Sequence, residues 1–326
     1  MSDRGDQTAT DAQAAVERTG RSGRGAVGVD IGGSGIRAAR HGVSGSPAVA
    51  PLERELDGGA LLSRIVDTVR AVSATPPHAL AVAIPSFVDA TGAVLQCPAL
   101  PGLEGLRLGD ELRARLGTPA VTVVPDIAAA VTGEYTFGTG RGVGRFLCVA
   151  LGTGANAGAI VDGRLLETAY GSLGDAGHVI VDVAGPACTC GGQGCLEAVT
   201  SGWALTRDGN RAGIGDAPAV TLAAERGEQR AIKLLERAGR ALGRAMATWS
   251  CLLWPQRIAV AGGLVGAGEL LLLPARDELQ RVGVPNIVGD VEVIAAELGQ
   301  TATLAGAVEL AAGLGNLQAR EPDSDI

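Results

Sequence analysis

Four side chains that bind metal ions lie close together near the middle of the sequence. His178 is followed by Cys188, Cys190 and Cys195, and glycines separate the last two cysteines. Three thiolates and an imidazole form a Cys3His set, which is one of the tetrahedral combinations used by structural zinc sites. Buried thiols beside an unrelated histidine are the alternative, but isolated core cysteines rarely occur in so glycine-rich a segment. The pattern predicts a zinc site in which the second ring nitrogen of His178 can face a ligand.

Two glycine-rich turns follow apolar segments and could bind phosphate through backbone N–H groups. The residues of the two turns are Gly32, Gly33, Ser34 and Gly35 in the first, and Gly152, Thr153 and Gly154 in the second. Asp30 precedes the first turn, and an acid there suits a triphosphate bound to Mg2+ better than a bare pyrophosphate. The chain has neither a Walker sequence nor a dinucleotide-binding fingerprint. A tight hairpin is the alternative for one turn alone, and the second turn favours phosphate binding.

Asp126 is a third candidate, because it follows the apolar segment 121–124 and begins a predicted helix. An acid in this position is usually an N-cap. A carboxylate is also what phosphoryl transfer to an alcohol requires within hydrogen-bond reach of the hydroxyl. The positive end of the helix dipole should keep Asp126 ionised and able to accept a proton.

The elements that must position these groups alternate between strands and helices. Apolar runs predict strands at 26–30, 35–40, 79–84, 121–124, 146–151, 157–161 and 258–261, and helical spacing predicts helices at 61–72, 106–116, 126–137, 231–253 and 303–312. The alternation indicates an α/β fold, and the two glycine turns indicate two related lobes, at 25–125 and 126–302. The polar ends, 1–24 and 320–326, are expected to be disordered tails.

Composition argues against several classes of protein. The 326 residues include 46% hydrophobic residues and carry a net charge of −8. No cationic run is present, so nucleic acid and anionic membranes are not expected partners. We find no signal peptide and no long apolar segment. The cysteines outside the metal set are scattered, which fits a reducing cytoplasm.

The segment from Gly177 to Glu197, with its run Cys188-Thr189-Cys190-Gly191-Gly192-Gln193-Gly194-Cys195, resembles the zinc signature of the ROK family. That family contains sugar kinases and sugar-responsive repressors, and the resemblance extends from about Ala26 to the closing helix. It implies a two-lobed actin/hexokinase-like (ribonuclease H-like) ATPase fold, in which the N-terminal lobe also recruits the C-terminal helix, 303–319. It further implies a homodimer or homotetramer.

The resemblance also implies roles for individual residues. Asp126 takes the place of the catalytic aspartate of ROK kinases, and the glycine turns resemble their two phosphate motifs. Gly262 and Gly263 resemble the adenosine motif. Asp175, His178 and Glu197 match residues that hold sugar hydroxyls. The implied reaction transfers the γ-phosphoryl group of ATP, with Mg2+, to a primary hydroxyl of a hexose, and the zinc ion is structural.

The chain departs from the family pattern around the acceptor. Asp175 is shorter than the usual glutamate, and the asparagines that often flank the base are replaced by Pro125 and Ala128. Ala99 likewise stands where an asparagine is common. Three alternatives follow: a glucokinase-like enzyme, a kinase for a modified or carbocyclic sugar such as a C7 cyclitol, or a catalytically silent sugar sensor. The segment before the first strand is too short for the helix-turn-helix domain of ROK repressors, and the zinc signature favours ATP over polyphosphate as donor.

Overall fold

The computed structural model describes residues 25–32, 35–53, 56–89, 91–168 and 171–318. The strands are β1 (Ala26–Gly32), β2 (Gly35–Arg40), β3 (Ala48–Pro51), β4 (Ala79–Ile84), β5 (Ala120–Pro125), β6 (Phe146–Leu151), β7 (Ala155–Val161), β8 (Arg164–Leu165), β9 (Glu167–Thr168), β10 (Gly171–Ser172), β11 (Arg257–Ala261) and β12 (Glu292–Ala295). The helices are α1 (Gly58–Val72), α2 (Leu108–Leu116), α3 (Asp126–Phe137), α4 (Glu197–Thr200), α5 (Gly202–Arg211), α6 (Ala217–Glu225), α7 (Gln229–Leu253), α8 (Glu269–Val282), α9 (Pro285–Val288) and α10 (Ala302–Gln318). The predicted tails at 1–24 and 320–326, and the turn residues Gly33 and Ser34, lie outside the described residues.

The chain divides into two compact units. Among the described residues, the first contains those up to Gly138, those of the short segment Glu167–Ser172 and those from Gln300 to Gln318. The second contains Thr139–Leu166 and Leu173–Gly299. The first division therefore falls after α3, and not before it as the sequence analysis placed it.

Helix α3 belongs to the first unit because it packs along α10. The two helices approach so closely that a Cβ atom at Gly306 would collide with the backbone carbonyl of Ala129. Helix α10 also packs on β1 and β4. The residue that begins α3, Asp126, is thereby fixed to the central strands of the first unit.

The first unit is built on a five-stranded sheet in the order β3-β2-β1-β4-β5. Strand β1 pairs in parallel with β4 and antiparallel with β2, and β4 pairs in parallel with β5. Every residue of β4 is buried, as expected for a central parallel strand covered on both faces. On one face, α1 buries Leu61, Leu62, Ile65, Val66 and Val69, whose spacing of three or four residues makes one side of the helix apolar.

The second unit repeats this arrangement with the order β12-β11-β6-β7-β8. Strand β6 pairs antiparallel with β7 and in parallel with β11, which pairs in parallel with β12. The β6–β7 turn therefore occupies the same place in its sheet as the β1–β2 turn occupies in the first. The α/β prediction with two related lobes is confirmed. Within the described residues, no helix is both long and apolar enough to cross a membrane.

Candidate active site and metal centre

The four predicted metal ligands converge in the second unit. The Nδ1 atom of His178 and the Sγ atoms of Cys188, Cys190 and Cys195 all lie within 4.8 Å of one another. His178 Nδ1 lies 3.5 Å from Cys188 Sγ, and the sulfurs of Cys190 and Cys195 are 3.7 Å apart. With Zn–S bonds of about 2.3 Å and a Zn–N bond of about 2.0 Å, a tetrahedral site separates two sulfurs by about 3.8 Å and a sulfur from a nitrogen by about 3.5 Å. The donor set and its spacing therefore fit a zinc ion.

A hairpin brings the three cysteines together. The amide of Cys188 donates to the carbonyl of Gly192 across its turn, and Gly192 N–H donates to Cys190 Sγ at 3.4 Å. The chain then turns back at Gly194, where φ is +74° and a Cβ atom would collide with the carbonyl of Asp182. Only glycine fits both conditions, and the turn places Cys195 beside the other two thiols.

His178 has its two ring nitrogens in different surroundings. Nδ1 faces the sulfur cluster, and Nε2 lies 3.5 Å from Asp175 Oδ2. A carboxylate on the outer nitrogen fixes the tautomer of a metal-binding histidine. Burial raises the pKa of Asp175, the charge of His178 lowers it, and the nearby Glu197 raises it. The three residues predicted to hold sugar hydroxyls are thus neighbours, and Asp175 is also placed to orient His178.

Glu197 begins α4, two residues after the last cysteine, and connects the metal segment to the β6–β7 turn. Its Oε2 accepts a hydrogen bond from the Ala155 amide at 3.1 Å. Its Oε1 accepts from Thr189 Oγ1 and from Trp203 Nε1, each at 3.4 Å. The sequence predicted a substrate contact for Glu197 but not these bonds, since they join residues from three separate segments.

The β6–β7 turn presents open amides. The carbonyls of Gly152 and Thr153 accept from the amides of Gly202 and Trp203, at 2.8 and 3.3 Å. The N–H groups of Thr153 and Gly154 have no hydrogen-bond partner among the residues that the structure describes. A loop whose carbonyls are already hydrogen-bonded and whose N–H groups are free to donate can bind an anion.

Gly262 and Gly263 lie beside this turn, because β6 and β11 are parallel and end at the same edge of the sheet. Gly262 has φ of +95° and packs directly on the backbone of Leu151, the last residue of β6. The Gly263–Ala267 segment continues as a 3-10 turn. The second unit thus brings together the predicted phosphate turn and the predicted adenosine glycines.

In the first unit, Asp30 lies on β1 and is 5% exposed. Its carboxylate forms an ion pair with Arg37, which stands opposite it in the register of β1 and β2. Burial raises the pKa of Asp30, while Arg37 opposes this effect. Gly32 and Gly35 pair at the closed end of the same hairpin, where β1 ends and β2 begins. Sequence reasoning missed Arg37, because its position opposite Asp30 follows only from the pairing of Gly32 with Gly35.

Asp126 is the first residue of α3 and follows β5 directly. Its pKa is raised to about 6, mainly by burial and further by the charge of Asp30, while the Ile127 amide lowers it. The loss of hydration therefore outweighs the helix N-terminus in its effect on this pKa. A carboxyl with a pKa near 6 is still largely ionised at neutral pH, and its proton affinity is higher than that of an exposed aspartate.

Comparison with known proteins identifies the family. The ROK family model matches residues 26–313. A glucokinase of Thermotoga maritima is 33% identical over 269 residues, which cover 77% of this chain and 84% of the relative. An N-acetylmannosamine kinase of Citrobacter koseri is 31% identical over 267 residues, which cover 81% of this chain and 83% of the relative.

A solved structure of a ROK kinase is similar to most of this chain. The ROK family glucokinase of Streptomyces griseus, crystallised with glucose and AMPPNP, has a TM-score of 0.71 and 30% identity, covering 88% of this chain and 98% of its own. The family model spans both glycine turns and the Cys3His segment. The chain belongs to the ROK family.

Proposed function

We propose that this protein is a kinase that transfers the γ-phosphoryl group of MgATP to a primary hydroxyl of a hexose or a hexose-like sugar, with Asp126 as the general base. Its relatives, a glucokinase and an N-acetylmannosamine kinase, support a ROK sugar kinase. The observation that carries the proposal is the carboxyl of Asp126, whose pKa of about 6 matches a base working near neutral pH. A helix N-cap needs no such proton affinity.

Each unit contributes a different part of the chemistry. In the first, Asp126 accepts the proton of the attacking hydroxyl, and Asp30, held by Arg37, supplies an acid suited to the water shell of Mg2+. In the second, the amides of Thr153 and Gly154 donate to phosphate oxygens. When it is bound, Mg2+ neutralises charge on the phosphates.

The acceptor is expected to bind to the second unit through His178, Glu197 and Asp175. A zinc ion held by the Cys3His set would fix His178 Nδ1 and leave Nε2–H to donate. Zinc is structural in this proposal, because all four of its positions are filled by protein ligands.

The acceptor itself distinguishes two versions of the proposal. Pro125, Ala128 and Ala99 offer no side-chain amide, so up to three hydrogen bonds to a hexose would be missing. Each would cost about 1–3 kcal/mol in a desolvated site. The alternative acceptor is therefore a less hydroxylated or carbocyclic ring with an exocyclic CH2OH, such as a C7 cyclitol.

The test is ADP release from MgATP with glucose, mannose, N-acetylglucosamine, N-acetylmannosamine and C7 cyclitols, with phosphorus NMR to identify the product. Turnover on one acceptor with formation of its phosphate monoester supports the proposal. A preference for glucose rejects the altered-acceptor version. Binding of nucleotide and sugar without turnover on any acceptor rejects the kinase and favours a sensor.

A further inference from the structure

Trp203, the second residue of α5, touches the metal ligands directly. Its side chain is half-buried and packs against Cys188, Cys195 and Ala198. Any change in the position of the two cysteines must therefore move the indole ring or open a gap beside it.

The same residue reaches the predicted phosphate turn by two routes. Its amide donates to the carbonyl of Thr153 at 3.3 Å. Its indole Nε1–H donates to Glu197 Oε1 at 3.4 Å, and Glu197 Oε2 accepts from the Ala155 amide at 3.1 Å. The residue thus contacts the metal cluster, the bridging carboxylate and the phosphate turn.

A cationic side chain also contacts the indole ring. The guanidinium of Arg207 lies over it, 5.2 Å from the ring centroid. Arg207 donates to the carbonyl of Ala198 at 3.0 Å and forms two bonds to Asp208, at 2.7 and 2.9 Å. A guanidinium fixed by a carboxylate and a carbonyl restricts the indole to one orientation.

We infer that Trp203 is a positioning residue that couples metal occupancy to nucleotide binding. Its indole N–H holds the Glu197 carboxylate where it accepts from the Ala155 amide, and its own amide donates to the carbonyl of Thr153. These bonds fix the turn so that the N–H groups of Thr153 and Gly154 stay directed at phosphate. Loss of the metal releases Cys188 and Cys195, removes the packing of the indole, and loosens the turn. This inference rests on the proposed kinase function for its ligand, MgATP.

The kinetic test uses Trp203→Phe, which keeps an aromatic ring against the cysteines and removes the indole N–H. We expect KM for MgATP to rise about tenfold, as for one lost hydrogen bond to a charged group, with kcat changed less than about threefold. Trp254→Phe is the matched control, because Trp254 is 56% exposed and lies at the end of α7. If Trp203 only supports the fold, its variant lowers the melting temperature and the active fraction and leaves KM unchanged, which overturns the inference.

A double variant tests whether Trp203 acts through Glu197. In Trp203→Phe combined with Glu197→Gln, the loss of affinity for MgATP should be no greater than in Glu197→Gln alone. Additive losses would show that Trp203 acts independently of this carboxylate and would overturn the proposed route.

Fluorescence and calorimetry test the coupling without turnover. In the wild type and in Trp254→Phe, a zinc chelator should shift the emission to longer wavelength and weaken MgADP binding; in Trp203→Phe the emission shift should be absent. If no acceptor is phosphorylated and these results still appear, the kinase proposal fails and the coupling stands. If Trp203→Phe binds MgADP as tightly as the wild type, or keeps the emission shift, the coupling fails whatever the turnover.

Discussion

Replacing Asp126 by Asn should stabilise the protein at pH 8 while removing the proposed base. Burial and the charge of Asp30 raise the pKa of Asp126 from 3.8 to about 6. At about 1.36 kcal/mol per pKa unit, ionising this carboxyl lowers the free energy of unfolding by up to about 3 kcal/mol relative to the protonated form.

The sign follows from the raised pKa. The stability given by the protonated form is fully present below pH 3.8 and is lost as the pH rises through about 6. Because Asn cannot ionise, Asp126→Asn keeps this stability at every pH. Its Oδ1 atom can still accept from the Ile127 amide, the one hydrogen bond that favours the carboxylate.

The assay is differential scanning calorimetry of wild type and Asp126→Asn at pH 4.5, 6 and 8. The melting temperature of the variant relative to the wild type should increase with pH, by about 4–8 °C between the two extremes, because about 2 kcal/mol is lost between pH 4.5 and 8 and 1 kcal/mol corresponds to about 2–4 °C. Asp110→Asn is the control. Asp110 is exposed on α2 and its pKa is lowered, chiefly by a hydrogen bond from Arg113, so its loss should give no gain at pH 8. If the difference in melting temperature between wild type and Asp126→Asn does not depend on pH, burial does not destabilise the ionised carboxylate and the reasoning is refuted.

Three further predictions follow from the same structure. The kcat/KM of the phosphoryl transfer should fall tenfold per pH unit below about pH 6, measured as ADP release, and a flat profile down to pH 5 would contradict a base with the pKa of Asp126. Glu278→Gln should destabilise the fold by about 3 kcal/mol at pH 7 in chemical denaturation, because Glu278 is 4% exposed and is bonded to Arg281 and Arg244; its pKa, lowered to about 2, makes this loss shrink as the pH falls from 4.5 towards 2. Removal of zinc by a chelator should make three thiols newly reactive and lower the melting temperature, whereas unchanged thiol counts would reject the Cys3His site.

The sequence predicted the elements whose pattern is continuous. Strands such as β4 and β6 are unbroken apolar runs, and α7 keeps an apolar stripe from 231 to 253, close to its observed limits of 229 and 253. Helices α4 to α6 and α8 were not predicted. Gly202 and Gly209 interrupt the pattern of α5, and α8 contains Pro274 in its interior, which normally breaks a helix.

The metal ligands could be predicted because they lie within one short segment. The partners that define their surroundings could not. Arg37 meets Asp30 only through strand register, and Trp203 meets Glu197 only through the packing of α5 against the metal hairpin. The pKa of Asp126 depends on burial among residues distant in sequence, so its rise could not be predicted from the helix dipole alone.

The most direct test of the central claim is the turnover of Asp126→Asn on the best acceptor at saturating MgATP, with MgADP affinity measured in parallel. We expect kcat to fall by about 10² to 10⁴, the usual contribution of a general base, with MgADP bound as tightly as by the wild type. A variant that retains a tenth or more of wild-type kcat would contradict the assignment of Asp126 as the base.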